Sequence, residues 1–368
     1  MSPGSGMRRW ATRLVAALVV FTVAGAAPIF WIEGLCVAPR DPLVRTPAPI
    51  VNDRGYARRE SDSYLAFPEW HIVYAYEDLA GVLRRGDESD FAYGRQILGF
   101  WRSLCGLTRV VSSRGEVGLS TKVMLYAIGW SFTAELALKG AYEKTIGRVF
   151  EWLRGADKTA EDEFIARDMQ AYAAFLRQTP WYDYPFAARL LAFWRETPLS
   201  GPHPLRKLER RAVVTSELGA RAVYGALAGF ASATALGASG QEIQTVVAGL
   251  EPNDAVRDRR ITIVRELGGG RTLIRTPRHR AYTDLMVDLA RQGRDVVEIA
   301  GNHRIFVTVL APKGPLPPLP GTSPLFEVAL QSRPDRRRVG LDVSVERLAA
   351  TIRALDKADA AVEHLYDY

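Results

Sequence analysis

The chain has 368 residues, of which 48% are hydrophobic and 24% charged, a globular balance that excludes whole-chain disorder and collagen-like repeats. A mean hydropathy of −0.06 argues against a polytopic transporter, which needs many long apolar runs. The net charge of +7 sets 48 basic residues against 41 acidic ones, so charge alone names no anionic partner.

Arg8, Arg9 and Arg13 precede an unbroken apolar run from Leu14 to Ile32, long enough as a helix to cross roughly 30 Å of hydrocarbon. Trp10 and Trp31 stand near its ends, where amphipathic rings prefer the interface. Ala24-Gly25-Ala26 has the small residues of a cleavage site, but the run continues through Ile29, Phe30, Trp31 and Ile32, which favours an uncleaved transmembrane anchor over 14–32. The basic flank then makes residues 1–13 a cytoplasmic tail and sends Glu33 outward.

Two later segments, Val123 to Leu138 and Ala222 to Ala238, are either further spans or buried helices. The first carries Glu135 between Lys122 and Lys139, and the second is rich in Ala and Gly. Cys36 and Cys105 are the only cysteines. They form a disulfide if the exported reading holds, or Cys105 is a buried thiol sharing a helix face with Ile97, Leu98 and Trp101.

After the anchor, Pro39, Pro42, Pro47 and Pro49 mark an extended linker over 33–60. A mainly helical, membrane-associated domain follows over 61–240. The spacing of Trp70, Val73, Tyr76 and Leu83 predicts a helix from Pro68 towards a cap at Gly86. A second helix is expected from Asp87 to about Cys105, and a third from a capping box at Thr159 and Asp162 to Arg177. From 241 to 368 the pattern turns to alternation. Strands are expected near Ile261–Ile263, Leu273–Arg275, Val296–Ile299, Ile305–Leu310, Phe326–Leu330, Val339–Val343 and Val362–Leu365, with helices at Arg280–Gln292 and Val345–Lys357. This order resembles a ferredoxin-like split α/β sandwich, so the expected class is α+β.

The sequence lacks a phosphate-binding Gly loop ending in Lys-Ser or Lys-Thr, a G-x-G-x-x-G, an H-E-x-x-H, a C-x-x-C and a G-x-S-x-G. The densest polar and aromatic cluster is Tyr64 to Asp78. On a helix His71, Tyr74 and Asp78 share one face, with Glu69 close by, a set able to do acid–base work or to hold a metal through His71. The plainer reading has Glu69 on the helix dipole, Asp78 solvated and His71 as a packed histidine. No cofactor and no metal-ligand set can be assigned.

Glu135 is functional if its helix lies in lipid, or one member of a surface series with Lys139 and Glu143. Trp181 to Phe186 and Leu190 to Trp194, followed by Arg206, Lys207, Arg210 and Arg211, suit either a helix on an anionic membrane surface or core packing beside a solvated basic turn. Pro315 to Pro320 reads as a loop or a polyproline ligand, and Arg333 with Arg336, Arg337 and Arg338 as an exposed hairpin turn.

Tyr64 to Asp78, Glu135 to Arg148, and the ending Val362-Glu363-His364-Leu365-Tyr366-Asp367-Tyr368 resemble stretches of a family of bacterial membrane-anchored proteins. The resemblance implies a bacterial inner-membrane setting with the bulk of the chain periplasmic, and brings no activity, cofactor or catalytic residue. Two functions follow. One is a binding or assembly component that contacts membrane lipid and takes a protein partner through its carboxyl-terminal domain, without nucleic acid. The other is an enzyme acting on a lipid-like substrate with His71 as acid/base or metal ligand.

Overall fold

The computed structural model describes residues 25–41, 47–233, 242–251 and 258–368. The fold is α+β: a helical amino-terminal and middle part, then two antiparallel sheets. Residues 25–31 are helical and pass into a π turn at Ile32–Cys36. The helices that follow are α1 (Glu60–Leu65), α2 (Phe67–Leu83), α3 (Tyr93–Arg114), α4 (Leu119–Tyr142), α5 (Arg148–Arg154), α6 (Ala160–Leu176), α7 (Phe186–Glu196) and α8 (Pro204–Ala233). Among the described residues no helix is long and apolar enough to cross a membrane. Residues 14–24 of the expected anchor and 234–238 of the last candidate span lie outside the described residues.

Local chemistry explains several boundaries. Pro68 occupies the first turn of α2, where its missing N–H costs nothing. Thr159 and Asp162 form the anticipated reciprocal capping box of α6. Asp87 and Asp90 make a second such box, but around a single 3₁₀ turn at Glu88–Asp90. The helix expected to begin at Asp87 therefore begins at Tyr93 and runs past Cys105 to Arg114.

The strands are β1 (Glu242–Ala248), β2 (Thr262–Gly268), β3 (Arg271–Pro277) and β4 (Asp295–Ile299) in one sheet of order β2-β3-β1-β4. The second sheet holds β5 (Arg304–Pro312), β6 (Thr322–Ala329), β7 (Arg336–Ser344) and β8 (Ala361–Leu365), in the order β6-β7-β5-β8. Helix α9 (Arg280–Arg291) joins β3 to β4, and α10 (Leu348–Lys357) joins β7 to β8. In place of the single expected sandwich there are two βββαβ units of identical topology. Because β3 and β4 both run antiparallel to β1, they are parallel to each other with β1 between them, a split βαβ.

The correspondence reaches single residues. The central strand of each unit carries a bulge against its last strand, between Val246 and Val247 in one and between Thr308 and Val309 in the other. Each helix closes on a left-handed residue, Gly293 (φ 80°) and Asp359 (φ 53°), conformations that Gly and, at some cost, Asp accept. The next amide then bonds back to the helix, Arg294 N to Leu289 O at 2.9 Å and Ala360 N to Leu355 O at 3.0 Å. Glu298 and His364 pair with the bulge residues Val246 and Thr308, so they hold equivalent places.

Both units share one core, with Ile243, Val247, Met286 and Leu289 from the first meeting Val309, Leu341, Ile352 and Leu355 from the second. The other face of the second sheet packs on the helices. Along β5 the period of two sends Ile305, Val307 and Val309 to the shared core, while Phe306 joins Tyr64, Phe67 and Tyr366 in the helical core. The linker is pinned rather than free. Tyr56 Oη and the Ile50 amide donate to Glu298 at 2.7 and 2.8 Å, and Ala38 N donates to Ser112 Oγ at 2.8 Å. Cys36 and Cys105 are joined in a disulfide.

Candidate functional site

The four residues expected to act together separate in the fold. His71 is 2% exposed, caged by Phe67, Phe100 and Phe132 with ring centroids about 6 Å away. Its Nε2–H donates to Gln96 O at 3.0 Å, and its Nδ1 has no partner. Burial pushes the imidazole down to about 4, so the ring is neutral. Gly99 leaves the space for it, since a Cβ there would sit 3.0 Å from His71 Cε1. Tyr74 turns to the second sheet, its hydroxyl 3.2 Å from that of Tyr366 and its ring 3.6 Å below the Arg338 guanidinium. Glu69 lies on the exposed side of α2.

Asp78, expected to be solvated, is buried. It accepts from Gln96 Nε2 at 3.0 Å and from the amides of Gln331 and Ser332 at 3.1 and 2.9 Å. Its work is to fix the β6–β7 turn onto α2. Arg85 clamps the same turn through the carbonyls of Ser332 and Gln331. Gly81 is required where they meet, because a Cβ there would stand 2.4 Å from Ser332 Cβ.

This turn forms one wall of a groove of about 400 Å³ between α2, α6 and the second sheet, within the size range of small-ligand sites. Arg338, expected in an exposed turn, is buried in its floor and pairs with Glu363 at 2.5 and 2.7 Å. Arg177 on the rim pairs with Glu77. Arg84 and Arg333 also line the groove, both exposed and neither with a side-chain partner among the described residues. The sequence marks Arg333 and Arg338 only as a turn and carries no local signal for Arg84 and Arg177. Their convergence depends on contacts between segments far apart in the chain, from the Glu77–Arg177 separation of 100 to the Asp78–Ser332 separation of 254. Among the described residues no group of three or more His, Cys, Asp or Glu is placed to hold a metal.

The basic run after α7 also differs from expectation. Arg206, Lys207, Arg210 and Arg211 face neither solvent nor headgroups: all are buried. Arg210 contacts Glu88, Glu143 and Glu209, Arg206 contacts Asp162, and Arg211 contacts Glu161. The Glu135, Lys139 and Glu143 series is likewise spent across helices, on Arg221, on Glu88 with Glu217, and on Arg210.

His364 offers a direct test of buried neutral imidazole. It stacks on Trp70 at 4.1 Å, and burial pushes it down to about 3. The unfolded chain takes up a proton near pH 6.5 while the folded chain does not, so stability is lost as pH falls through that value, by about 1.4 kcal/mol per pH unit. Replacing His364 by Phe keeps the stack and removes the titration. Denaturant melts at pH 7 and pH 5 are expected to show the difference moving about 2 kcal/mol in favour of the variant at the lower pH; an unchanged difference rules the neutral ring out.

The chain matches no protein-family model, no curated protein and no solved structure.

Proposed function

We propose that this is a non-catalytic protein of a bacterial inner membrane, held by the apolar run 14–32 and seated on the bilayer by its helical part, with the α+β part presented for ligand or partner binding. The observation that carries this reading is the distribution of charge on α4 and α8. Every exposed residue of α8 from Pro204 to Leu227 is uncharged, Leu205, Leu208, Val223 and Leu227 among them. Its charged residues, from Arg206 to Arg221, are buried or half-buried. The exposed residues of α4 are also uncharged, including Val123, Met124, Trp130 and Leu138. A helix in water has the opposite distribution, whereas in lipid ionisable groups face the bundle and pair with one another.

The neighbourhood agrees. Residues 25–31 run beside α4, since a Cβ on Gly25 would collide with the Trp130 indole and Glu33 meets Lys122 at 2.8 Å. The described end of the apolar run, residues 25–32, thus lies along the uncharged face. Trp152 is 78% exposed beside Val149 and Leu153. The disulfide fits export to an oxidising compartment, as the basic amino-terminal flank does. The ferredoxin-like likeness of each split βαβ belongs to the same reading and carries no activity. A sealed His71 gives the enzyme alternative no support.

The test is quenching of tryptophan fluorescence in vesicles of brominated lipid. Trp152, kept as the only exposed tryptophan, is expected to lose most of its emission, while Trp101, buried and bonded to Thr133 Oγ1 at 2.9 Å, is expected to be spared. Equal, weak quenching of both would overturn the seating.

A further inference from the structure

We propose that the groove between α2, α6 and the second sheet is a binding site for an organic phosphate. The groove carries positive charge that has no internal use. Four guanidinium groups converge on this space with two carboxylates. Glu363 is consumed by Arg338 and Glu77 by Arg177, which leaves Arg84, at the end of α2, and Arg333, on the β6–β7 turn packed against that helix, uncompensated at the groove.

The donors suit phosphate better than a lone carboxylate. Each guanidinium presents a planar fork able to grip two oxygens, and two such forks together match a tetrahedral anion with more than two acceptor oxygens. Gln170 and Gln178 add neutral polar groups along the lining, available to hydroxyls of the organic portion. The volume of about 400 Å³ holds a group of the size of a sugar phosphate or a glycerophosphate headgroup. The wall is built for permanence, since the turn carrying Arg333 is clamped by Asp78 and Arg85. A preorganised turn loses less freedom when it binds. Asp78 and Arg85 are therefore positioning residues for this site.

The same phosphate chemistry is offered by a soluble metabolite and by a lipid headgroup, and neither source depends on the seating proposed above. The experiment is thermal unfolding of the full chain in nanodiscs of uncharged lipid, with sn-glycerol 3-phosphate added from the aqueous side or phosphatidylglycerol built into the disc. Sodium chloride at matched ionic strength is the reference. Wild type is expected to gain several degrees with one of the two probes, as a ligand selective for the folded state requires, and Arg84→Ala and Arg333→Ala are each expected to weaken the response at least tenfold in probe concentration. A response to glycerol phosphate assigns a soluble ligand, and one to phosphatidylglycerol alone assigns a headgroup. No response to either, or responses that survive both substitutions, would overturn the site. Arg333→Lys, which keeps the charge and loses the fork, is expected to recover only part of the response; full recovery would refute the bidentate grip.

Discussion

Replacing Arg210 by alanine is expected to cost about 3–5 kcal/mol of stability, measured as the shift of a denaturant midpoint in detergent or nanodiscs. Its side chain is 1% exposed and holds Glu88 Oε2 at 2.9 Å and Glu143 Oε1 at 2.9 Å, with Glu209 alongside. Deleting the cation leaves these acids out of water, with Lys139 on Glu88 and Arg206 on Glu209 the cations that remain against them. The sign depends on removing one partner only. Arg210→Met combined with Glu143→Leu removes both partners of the contact, the acid being one that burial pushes up to about 8, and is expected to regain part of the loss, because a buried pair contributes little over an apolar replacement. The exposed Arg167–Glu196 pair, at 3.2 Å with both side chains about half exposed, serves as the contrast: its loss is expected to cost under about 1 kcal/mol. Equal costs at the two sites would refute the account of the bundle as a closed ionic interior.

Exchanging Cys36 and Cys105 for serine is expected to cost about 4 kcal/mol. The bridge closes a loop with a sequence separation of 69, and the chain-entropy estimate for a loop of that size gives about 4 kcal/mol at 25 °C. A reductant should reproduce the effect in wild type and leave the double variant unchanged. A second readout is local. The bridge and the Ala38 amide bond to Ser112 hold 36–38 against α3, so the double variant is expected to be cut by trypsin after Arg40 under conditions that spare wild type. Protection retained in the variant would show that the hydrogen bonds alone hold the segment.

What could be read from the residues is what depends on neighbours in the chain. The cap at Thr159, the proline start of α2, the hairpins around Gly269 and most strands of 261–365 follow from short-range chemistry. The first strand, Glu242–Ala248, was not anticipated, although it is the centre of its sheet; burial on both sides removes the clear alternation by which a half-exposed strand is recognised. The duplication was also hidden. Equivalent helix and strand positions share apolar character more than identity, as with Met286 and Ile352, and the two units became comparable only through their bulges and helix ends.

The charged helix α8 was misjudged for a deeper reason. Periodicity separates a polar face from an apolar one, but it has no sign: it does not say which face is inside until the surrounding solvent is known. Arg206, Arg210 and Arg221 carry the same helical spacing in a water-facing stripe and in a lipid-sheltered interior. His71 shows the converse: its spacing predicts a shared helix face with Tyr74 and Asp78, and Phe100, Phe132 and Gln96 from two other helices make of it a sealed packing position. Of the groove, only Arg333 and Arg338 drew notice, since nothing local ties them to α2 and α6.

The pinned linker changes how far and in what direction the molecule reaches. A free proline-rich tether lets its cargo swing through a wide cone above its attachment point. Here the segment leaving the apolar run is fastened at 36 and 38 to α3 and at 50, 56 and 58 to the first unit. Both described stretches of the segment are then held against the fold, like a bracket rather than a leash. If the run 14–32 is the anchor proposed above, a pull on the α+β part meets the hydrogen bonds of residues 50, 56 and 58 before it reaches the disulfide at Cys36.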